Sequence, residues 1–343
     1  MSLPFPILEH MSNDAVSANE PARLARQRLR DGLLGWGQPR PAAPARLAAE
    51  LRAELEAGLA DLDLEAATRQ RRAGELWVTK TRLDRLVCDG YQLDARPYEH
   101  TWSNARGSLA HKAIERDWQL RDQREPHEVV ARAWRELATH RPGDPRSLAA
   151  WLNALDGERA GELAEEVGDL LAGFREVWPP LERVEVVAEP RIRLRLAGGR
   201  VVMFGVPDVV LRSPRQDEYC RTLVVDLKTG RPRSDHDRHE LRFYALLATL
   251  ADGRPPFRWA THYVTEGRSE WEDLNPDTLR VTVRRVLDSV RQAIRLAEAD
   301  GDADLRLVGG AWCRFCLREE TCEVAAEARA RQEVSQASGM LGP

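Results

Sequence analysis

The sequence has no apolar run approaching the roughly 20 residues that a membrane-spanning helix needs. Its opening, MSLPFPILEHMSNDAVSANE, lacks the basic start and long apolar stretch of a secretory signal. No membrane association or export is therefore expected, and the cytoplasm is the expected compartment. Positive charge is not in excess either: the formal net charge is −4 and the isoelectric point is near 6.1. A protein that held nucleic acid only through a broad positive field would need the opposite balance. An enzyme with a local basic groove and an acidic centre escapes that exclusion. No G-x-x-x-x-G-K-[ST] phosphate loop is present, so the chain carries no helicase motor of its own. Internal repeats are missing. Cysteine is scarce and uneven, at positions 88, 220, 313, 316 and 322. So few in so long an intracellular chain read as metal or redox chemistry, not as a disulfide framework.

What is present supports a folded enzyme-sized body. Of 343 residues, 43% are hydrophobic, enough for a substantial core, and 31% are charged, which suits a soluble surface. Residues 1–20 read as a tail. Residues 21–75 are rich in Ala, Leu, Arg and Glu with helical spacing, interrupted by the proline-bearing connector WGQPRPAAPA at 36–45. TKTRLDRLVCDGY begins with a Thr suited to an N-cap and is expected to stop at Asp89-Gly90. SNARGSLAHKAIERDWQL, 103–120, is helical and sets His111 and Glu115 one turn apart. Further helices fill 127–179, broken at 141–147. After Pro179-Pro180, alternation predicts a strand over 184–197, a Gly198-Gly199 turn, a second strand over 200–212 and a third over 221–230. A helix over 235–251, a strand over 257–265 and a long amphipathic helix over 279–299 follow. The expected fold is α/β, a mixed central sheet flanked by helices, with a helical N-terminal extension.

GVPDVV followed by VVDLKTG carries the chemistry. Asp208 is expected within one strand and Asp226 near the end of the next, close enough to face one another. Two facing carboxylates repel, and a divalent cation such as Mg²⁺ resolves the repulsion with carboxylates, waters and phosphate oxygens. Lys228 follows Asp226 by two positions, so both side chains share one strand face. Its ammonium can position or help deprotonate a water, and the Leu227 carbonyl between them is a further ligand. This equipment suits metal-assisted phosphodiester hydrolysis. A lone D-x-K triplet also arises by chance as an ion pair at a strand end.

The ordered set is more specific. G-x-x-D at 205–208, then Asp226-Leu227-Lys228-Thr229-Gly230, then Glu240-x-x-x-Tyr244 resembles the RecB-like branch of the PD-(D/E)XK nucleases. GSLAHKAIE, 107–115, is similar to that branch's G-x-x-x-H motif. The resemblance covers about residues 79–325. It implies a restriction-endonuclease-like core, Mg²⁺ or Mn²⁺ held by His111, Asp208 and Asp226, and Lys228 as the catalytic lysine. Glu240 stands where that branch usually has Gln, adding a negative charge that faces phosphate. Tyr244 fits the motif and equally fits a core tyrosine with its hydroxyl at the rim.

Cys313-x2-Cys316-x5-Cys322 is a compact ligand cluster lacking a fourth member. Spacing alone favours Zn²⁺ over an iron–sulfur cluster and leaves Cys88 and Cys220 open as the fourth ligand. The AddB nuclease domain and the CRISPR-associated RecB-like exonucleases carry one cysteine before the core and three after it. The resemblance therefore implies a structural [4Fe–4S] cluster on Cys88, Cys313, Cys316 and Cys322, with Zn²⁺ as the alternative, and leaves Cys220 as an apolar packing residue.

Arg191, Arg193, Arg195, Arg231, Arg233, Arg314 and Arg318 are candidates for a phosphate groove, or for pairing with the chain's many carboxylates. Most of the ten tryptophans are expected as core or helix-packing residues. The domain expectation is a tail and helical extension over 1–75, a nuclease domain over 76–325 and a tail over 326–343. The functional expectation is a metal-dependent DNA exonuclease acting on single-stranded ends in repair, recombination or defence, with any helicase or other DNA-processing partner a separate protein. A non-catalytic DNA-end-binding or scaffolding subunit, and a zinc protein with a coincidental D-x-K, are the competing readings.

Overall fold

Two sheets form where alternating apolar residues meet turn signals, and helices cover their faces. A computed structural model describes residues 20–339 apart from 70, 121–123, 142, 179–180, 182–183, 214, 216 and 232–233. The expected tail before residue 20, the Pro179-Pro180 boundary, Arg233 and the last residues of the C-terminal tail lie outside the described residues. The front of the chain is helical: α1 (Glu20–Arg28), α2 (Leu47–Ala60) and α3 (Leu64–Thr68) precede the short strand β1 (Leu76–Val78). Then come α4 (Lys80–Asp84), α5 (Asp89–Leu93), α6 (Trp102–Leu120), α7 (Pro126–Ala138), α8 (Leu148–Asn153) and α9 (Gly157–Val177). Thr79 caps α4 and Asp156 caps α9, each accepting from an amide three residues on.

Strands β2 (Glu185–Ala188), β3 (Ile192–Leu196), β4 (Val201–Gly205), β5 (Val209–Arg212) and β6 (Thr222–Lys228) follow. Helix α10 (Ser234–Asp252) leads to β7 (Arg258–Tyr263), β8 (Arg268–Asp273), α11 (Pro276–Glu298) and α12 (Glu323–Gly339). The five-stranded sheet runs β2-β5-β6-β7-β8, antiparallel except for β6 beside β7. The second sheet runs β1-β4-β3, with β1 parallel to β4.

Two expected strands are each divided. The 184–197 stretch breaks at Glu189, where φ is +46°, and Pro190, so β2 and β3 belong to different sheets. The 200–212 stretch breaks at 206–208, because Pro207 cannot donate to a ladder. Asp208 therefore lies just before β5 and not within a strand. Strand β8 was not expected; its sequence, RSEWED, is that of a charged edge strand, whose alternation is masked by polar residues on both faces. Asp89-Gly90 does not end a helix. The helical run closes in a tight turn at Arg85–Val87 and Asp89 opens α5, because its buried carboxylate accepts from Gln292 Nε2 at 2.8 Å and the Arg306 amide at 2.9 Å.

Period-2 alternation divides β6 between two cores. Leu223, Val225 and Leu227 pack with α6, α7 and α9, whereas Val224 packs toward α10 and α11. Asp226 and Lys228 share the face of Val224. Leucines 47, 51, 55 and 59 of α2, spaced one turn apart, are all buried in the α10–α11 core, so the helical extension packs directly on the sheet-bearing body. Most tryptophans are packing residues: Trp102, Trp118, Trp134 and Trp151 pack against the core from partly buried positions, and Trp178 and Trp259 are buried.

Candidate active site

Strand β6 ends by setting Asp226 and Lys228 on one face of the sheet. Its pairing with β5 joins Val209 to Val225, and one further step along that register brings Asp208 opposite Asp226. Asp208 is held by its own chain: Oδ2 accepts the Leu227 amide at 2.6 Å, and its carbonyl accepts the Glu189 amide at 2.8 Å. Helix α6 delivers His111, whose Nδ1 lies 3.3 Å from Asp208 Oδ1. The close approach of that helix depends on Gly107, where a Cβ would sit 2.9 Å from Thr229 Oγ1 at the end of β6.

Helix α10 supplies Glu240 and Tyr244 one turn apart. Lys228 Nζ lies 2.6 Å from Asp226 Oδ2 and 3.0 Å from Glu240 Oε2, so one ammonium serves two buried carboxylates. The Tyr244 hydroxyl donates to Glu240 Oε1 at 3.2 Å. Its ring lies against β4 at Gly205, where a Cβ would be 2.9 Å from Tyr244 Cε1. The glycines of both motifs are thus places of close approach, one under the histidine helix and one under the tyrosine. Tyr244 is both a core tyrosine and a site hydroxyl.

Two further lysines border this cluster and were not anticipated. Lys80, first residue of α4, forms an ion pair with Glu240 Oε1. Lys112 pairs with Glu115 and lies 3.7 Å from Glu189, the residue bonded to the Asp208 carbonyl. A signal existed in the composition: lysine occurs only at 80, 112 and 228, against a total of 51 basic residues. No spacing rule links Lys80 to the acidic motifs, since it lies 160 positions from Glu240.

Burial and charge pull these groups in different directions. Asp226 is pushed up to about 7, chiefly by burial, with Glu240 and Asp208 adding to the rise and Lys228 opposing it. Burial would raise Asp208 too, but His111 and then Lys228 hold it well below the usual carboxylate range. Burial would lower His111, yet Asp208 and Asp226 carry it above its ordinary value. Glu240 also resists burial and stays below its usual value because of Lys228 and Lys80, and Lys228 is correspondingly raised by Asp226 and Glu240. Burial and the nearby carboxylates push the Tyr244 hydroxyl far up, so it remains a donor.

Asp226 Oδ2 is buried and has no aligned hydrogen-bond donor despite the adjacent ammonium. A buried carboxylate oxygen without a hydrogen-bond donor, an opposing carboxylate and an imidazole make a donor set suited to a small divalent cation. Among the described residues, however, no three His, Cys, Asp or Glu side chains already stand arranged to hold a metal ion. His111 instead engages Asp208, and Lys228 engages Asp226.

The cysteines lie in a separate region. The segment after α11 doubles back on α5: Asp89 N donates to the Arg306 carbonyl, Leu317 N to Asp94 O at 2.7 Å, and Arg96 N to Phe315 O at 2.7 Å. Arg318 pairs with Asp94 and Asp302. Cys88, Cys313 and Cys316 are buried and Cys322 partly so. Burial pushes the Cys316 thiol up, and Cys88 and Cys313 add to the rise, which puts the three in one electrostatic neighbourhood. Cys220 is buried elsewhere, its thiol raised to about 11 by burial. Three arginines of the candidate groove are tied down: Arg193 and Arg195 both pair with Glu75, and Arg318 is held by Asp94 and Asp302.

No curated protein matches the chain. A solved structure titled "Crystal structure of SSO0001" aligns over 80% of this chain and 94% of that one, at 14% identity and a TM-score of 0.30, too loose a superposition to carry an argument. The model of the PD-(D/E)XK nuclease superfamily matches residues 88–323, a span that takes in His111, Asp208, Asp226, Lys228, Glu240, Tyr244 and all five cysteines. That match extends well beyond half of the sequence, and the chain belongs to the PD-(D/E)XK nuclease superfamily.

Proposed function

We propose that the chain is an Mg²⁺- or Mn²⁺-dependent DNA nuclease, an exonuclease acting at single-stranded ends. The observation that carries this reading is the placement of Asp226: a carboxylate only 3% exposed, opposite Asp208, which engages His111, and beside the Lys228 ammonium. In this reading His111, Asp208, Asp226 and the Leu227 carbonyl hold the cation. When bound, the cation supplies positive charge beside the scissile phosphate and a more acidic water. Asp208, fixed by the Leu227 amide, orients its oxygens without reorganisation. Lys228 orients the attacking water and balances charge as the phosphorus becomes more crowded with oxygen. Tyr244 and Glu240 position the Lys228 ammonium from the helix side.

We further propose a structural [4Fe–4S] cluster on Cys88, Cys313, Cys316 and Cys322. The docking of the 305–322 segment on α5 supports it, as does the shared neighbourhood of three of the thiols. Residues 76–325 would form the nuclease domain, with 1–75 as its helical extension and 326–343 as a tail.

The test is cleavage of end-labelled single- and double-stranded DNA by anaerobically purified protein with Mg²⁺ or Mn²⁺. Asp226→Ala and Lys228→Ala are expected to abolish cleavage with the cluster intact. Undiminished cleavage by Asp226→Ala overturns the mechanism. Brown protein containing iron supports the cluster, and colourless protein containing zinc replaces it with the alternative. Full iron content in Cys88→Ser overturns the four-cysteine assignment.

A further inference from the structure

Two carboxylates in the site, those of Asp226 and Glu240, are nearly inaccessible, at 3% and 2% exposure, and both engage the single ammonium of Lys228. One buried cation between two buried anions leaves negative charge uncompensated, which is costly in a low-dielectric setting. Lys80 removes that deficit. Thr79 caps α4 and so fixes Lys80 at the first helical position, from which its ammonium reaches Glu240 Oε1. A helix N-terminus is an unfavourable place for a cation, so the helix itself gives no reason for a lysine there. The carboxylate it meets does.

The pair is also graded in exposure. Glu240 is enclosed, whereas the Lys80 side chain is 40% exposed, the most accessible charge on the Glu240–Lys228 network. Its ammonium lies 5.8 Å from the centre of the Tyr244 ring, so it stands over the same residue that donates to Glu240. The use of lysine is itself selective. In a chain whose basic residues are otherwise all arginine, the three lysines are Lys228, Lys80 and the bordering Lys112. A compact ammonium on a flexible stem, unlike a planar guanidinium fork, fits between crowded carboxylates.

We propose that Lys80 is a positioning residue of this centre: it neutralises Glu240, leaving Lys228 to serve Asp226 and the phosphodiester. This rests on reading the cluster as a metal-dependent nuclease centre. Lys80 acts through Glu240, and its removal turns Lys228 toward that carboxylate while adding net negative charge to the site.

Two readouts test the role, one of them independent of catalysis. Lys80→Met is expected to lower kcat about tenfold with KM changed by less than about threefold, the pattern of an interaction made chiefly in the transition state. Mn²⁺ titrated into the protein alone, without DNA, should bind about three- to tenfold more tightly to Lys80→Met, because a nearby positive charge has gone. Glu240→Gln should shift Mn²⁺ affinity the opposite way. The double variant Lys80→Met/Glu240→Gln should cleave faster than Lys80→Met alone, since the unbalanced carboxylate is removed with its partner. A merely structural tie between α4 and α10 would instead weaken Mn²⁺ binding and gain nothing from the second substitution; either result overturns the proposal. Should Lys80→Met not fold, Lys80→Gln and the double variant carry the same comparison. Asp226→Ala run alongside keeps the two claims apart. Cleavage retained there overturns the nuclease reading, whereas cleavage lost there with no effect of Lys80 overturns only the role of Lys80.

Discussion

Around Asp226, charged groups from α4, α6, β6 and α10 meet on a sheet whose strands bury apolar residues on both faces. Around Cys316, a segment with almost no regular structure is held to α5 by a few backbone hydrogen bonds and the Arg318–Asp94 and Arg96–Glu319 pairs. The first region is secured by core packing that exists whether or not a ligand is bound. The second has thiols where the first has leucines and valines, and exposed apolar residues such as Phe315 and Leu317 at its surface. Such a strap gains little from burial, and the proposed cluster on its cysteines would supply the missing cross-link. The contrast teaches that the acidic cluster is pre-positioned by the fold, whereas the C-terminal closure, with the proposed cluster in place, would depend on that cofactor.

The sharpest break of that comparison is Asp226→Ala. Cleavage should fall on the order of 10³-fold or more, measured in single-turnover assays, while iron content and proteolytic resistance of 305–322 stay as in the native protein. Loss of iron in this variant would mean that the two regions are not independent. Cys88→Ser is the converse experiment. It should release the cluster and cost roughly 2–4 kcal/mol, the scale of losing a cross-link that closes a very long loop. Limited proteolysis should then cut first within 299–322, with the β5–β6 region cut last; simultaneous cleavage everywhere would refute a separately secured sheet.

A subtler change targets packing beneath the site. Gly205→Ala places a methyl 2.6 Å from Leu247 Cδ1 and 2.9 Å from Tyr244 Cε1. Overpacking there should cost about 1–3 kcal/mol in denaturant midpoint analysis and slow cleavage through Tyr244, with iron unaffected. The smallest effect is expected at Cys220. It is 1% exposed and its thiol is raised to about 11, so it should resist maleimide labelling in the native state. Cys220→Ala should keep full iron and lose about 1–2 kcal/mol at most. Iron lost with Cys220 would redraw the cysteine region altogether.

Much of the candidate site was legible in the sequence, for a simple reason. Asp226 and Lys228 are two apart on a strand, Glu240 and Tyr244 four apart on a helix, and those periods alone put each pair on one face. The helix bearing His111 and the turn at Gly198-Gly199 were legible on the same local grounds. What escaped were events at corners and edges. Pro207 and Glu189 break two apparently continuous strands, since alternation continues through a bend that moves the chain to another sheet. Edge strand β8 carries charge where a pattern search wants apolar residues. Asp89-Gly90 looks like a helix stop until Gln292 and Arg306, over 200 positions away, are seen to hold the carboxylate.

By itself the sequence carried the superfamily resemblance, the α/β class and the local faces on which the acidic and basic side chains fall. The tertiary structure alone decided how those faces meet: Asp208 one step beyond a β ladder, Gly107 and Gly205 as contact points, the strap over α5, and Lys80 on Glu240. Periodicity is a property of neighbouring residues, and the chain carries it openly. Charge compensation between positions 80 and 240 depends on how α4 packs against α10, and no pattern along the chain encodes that distance.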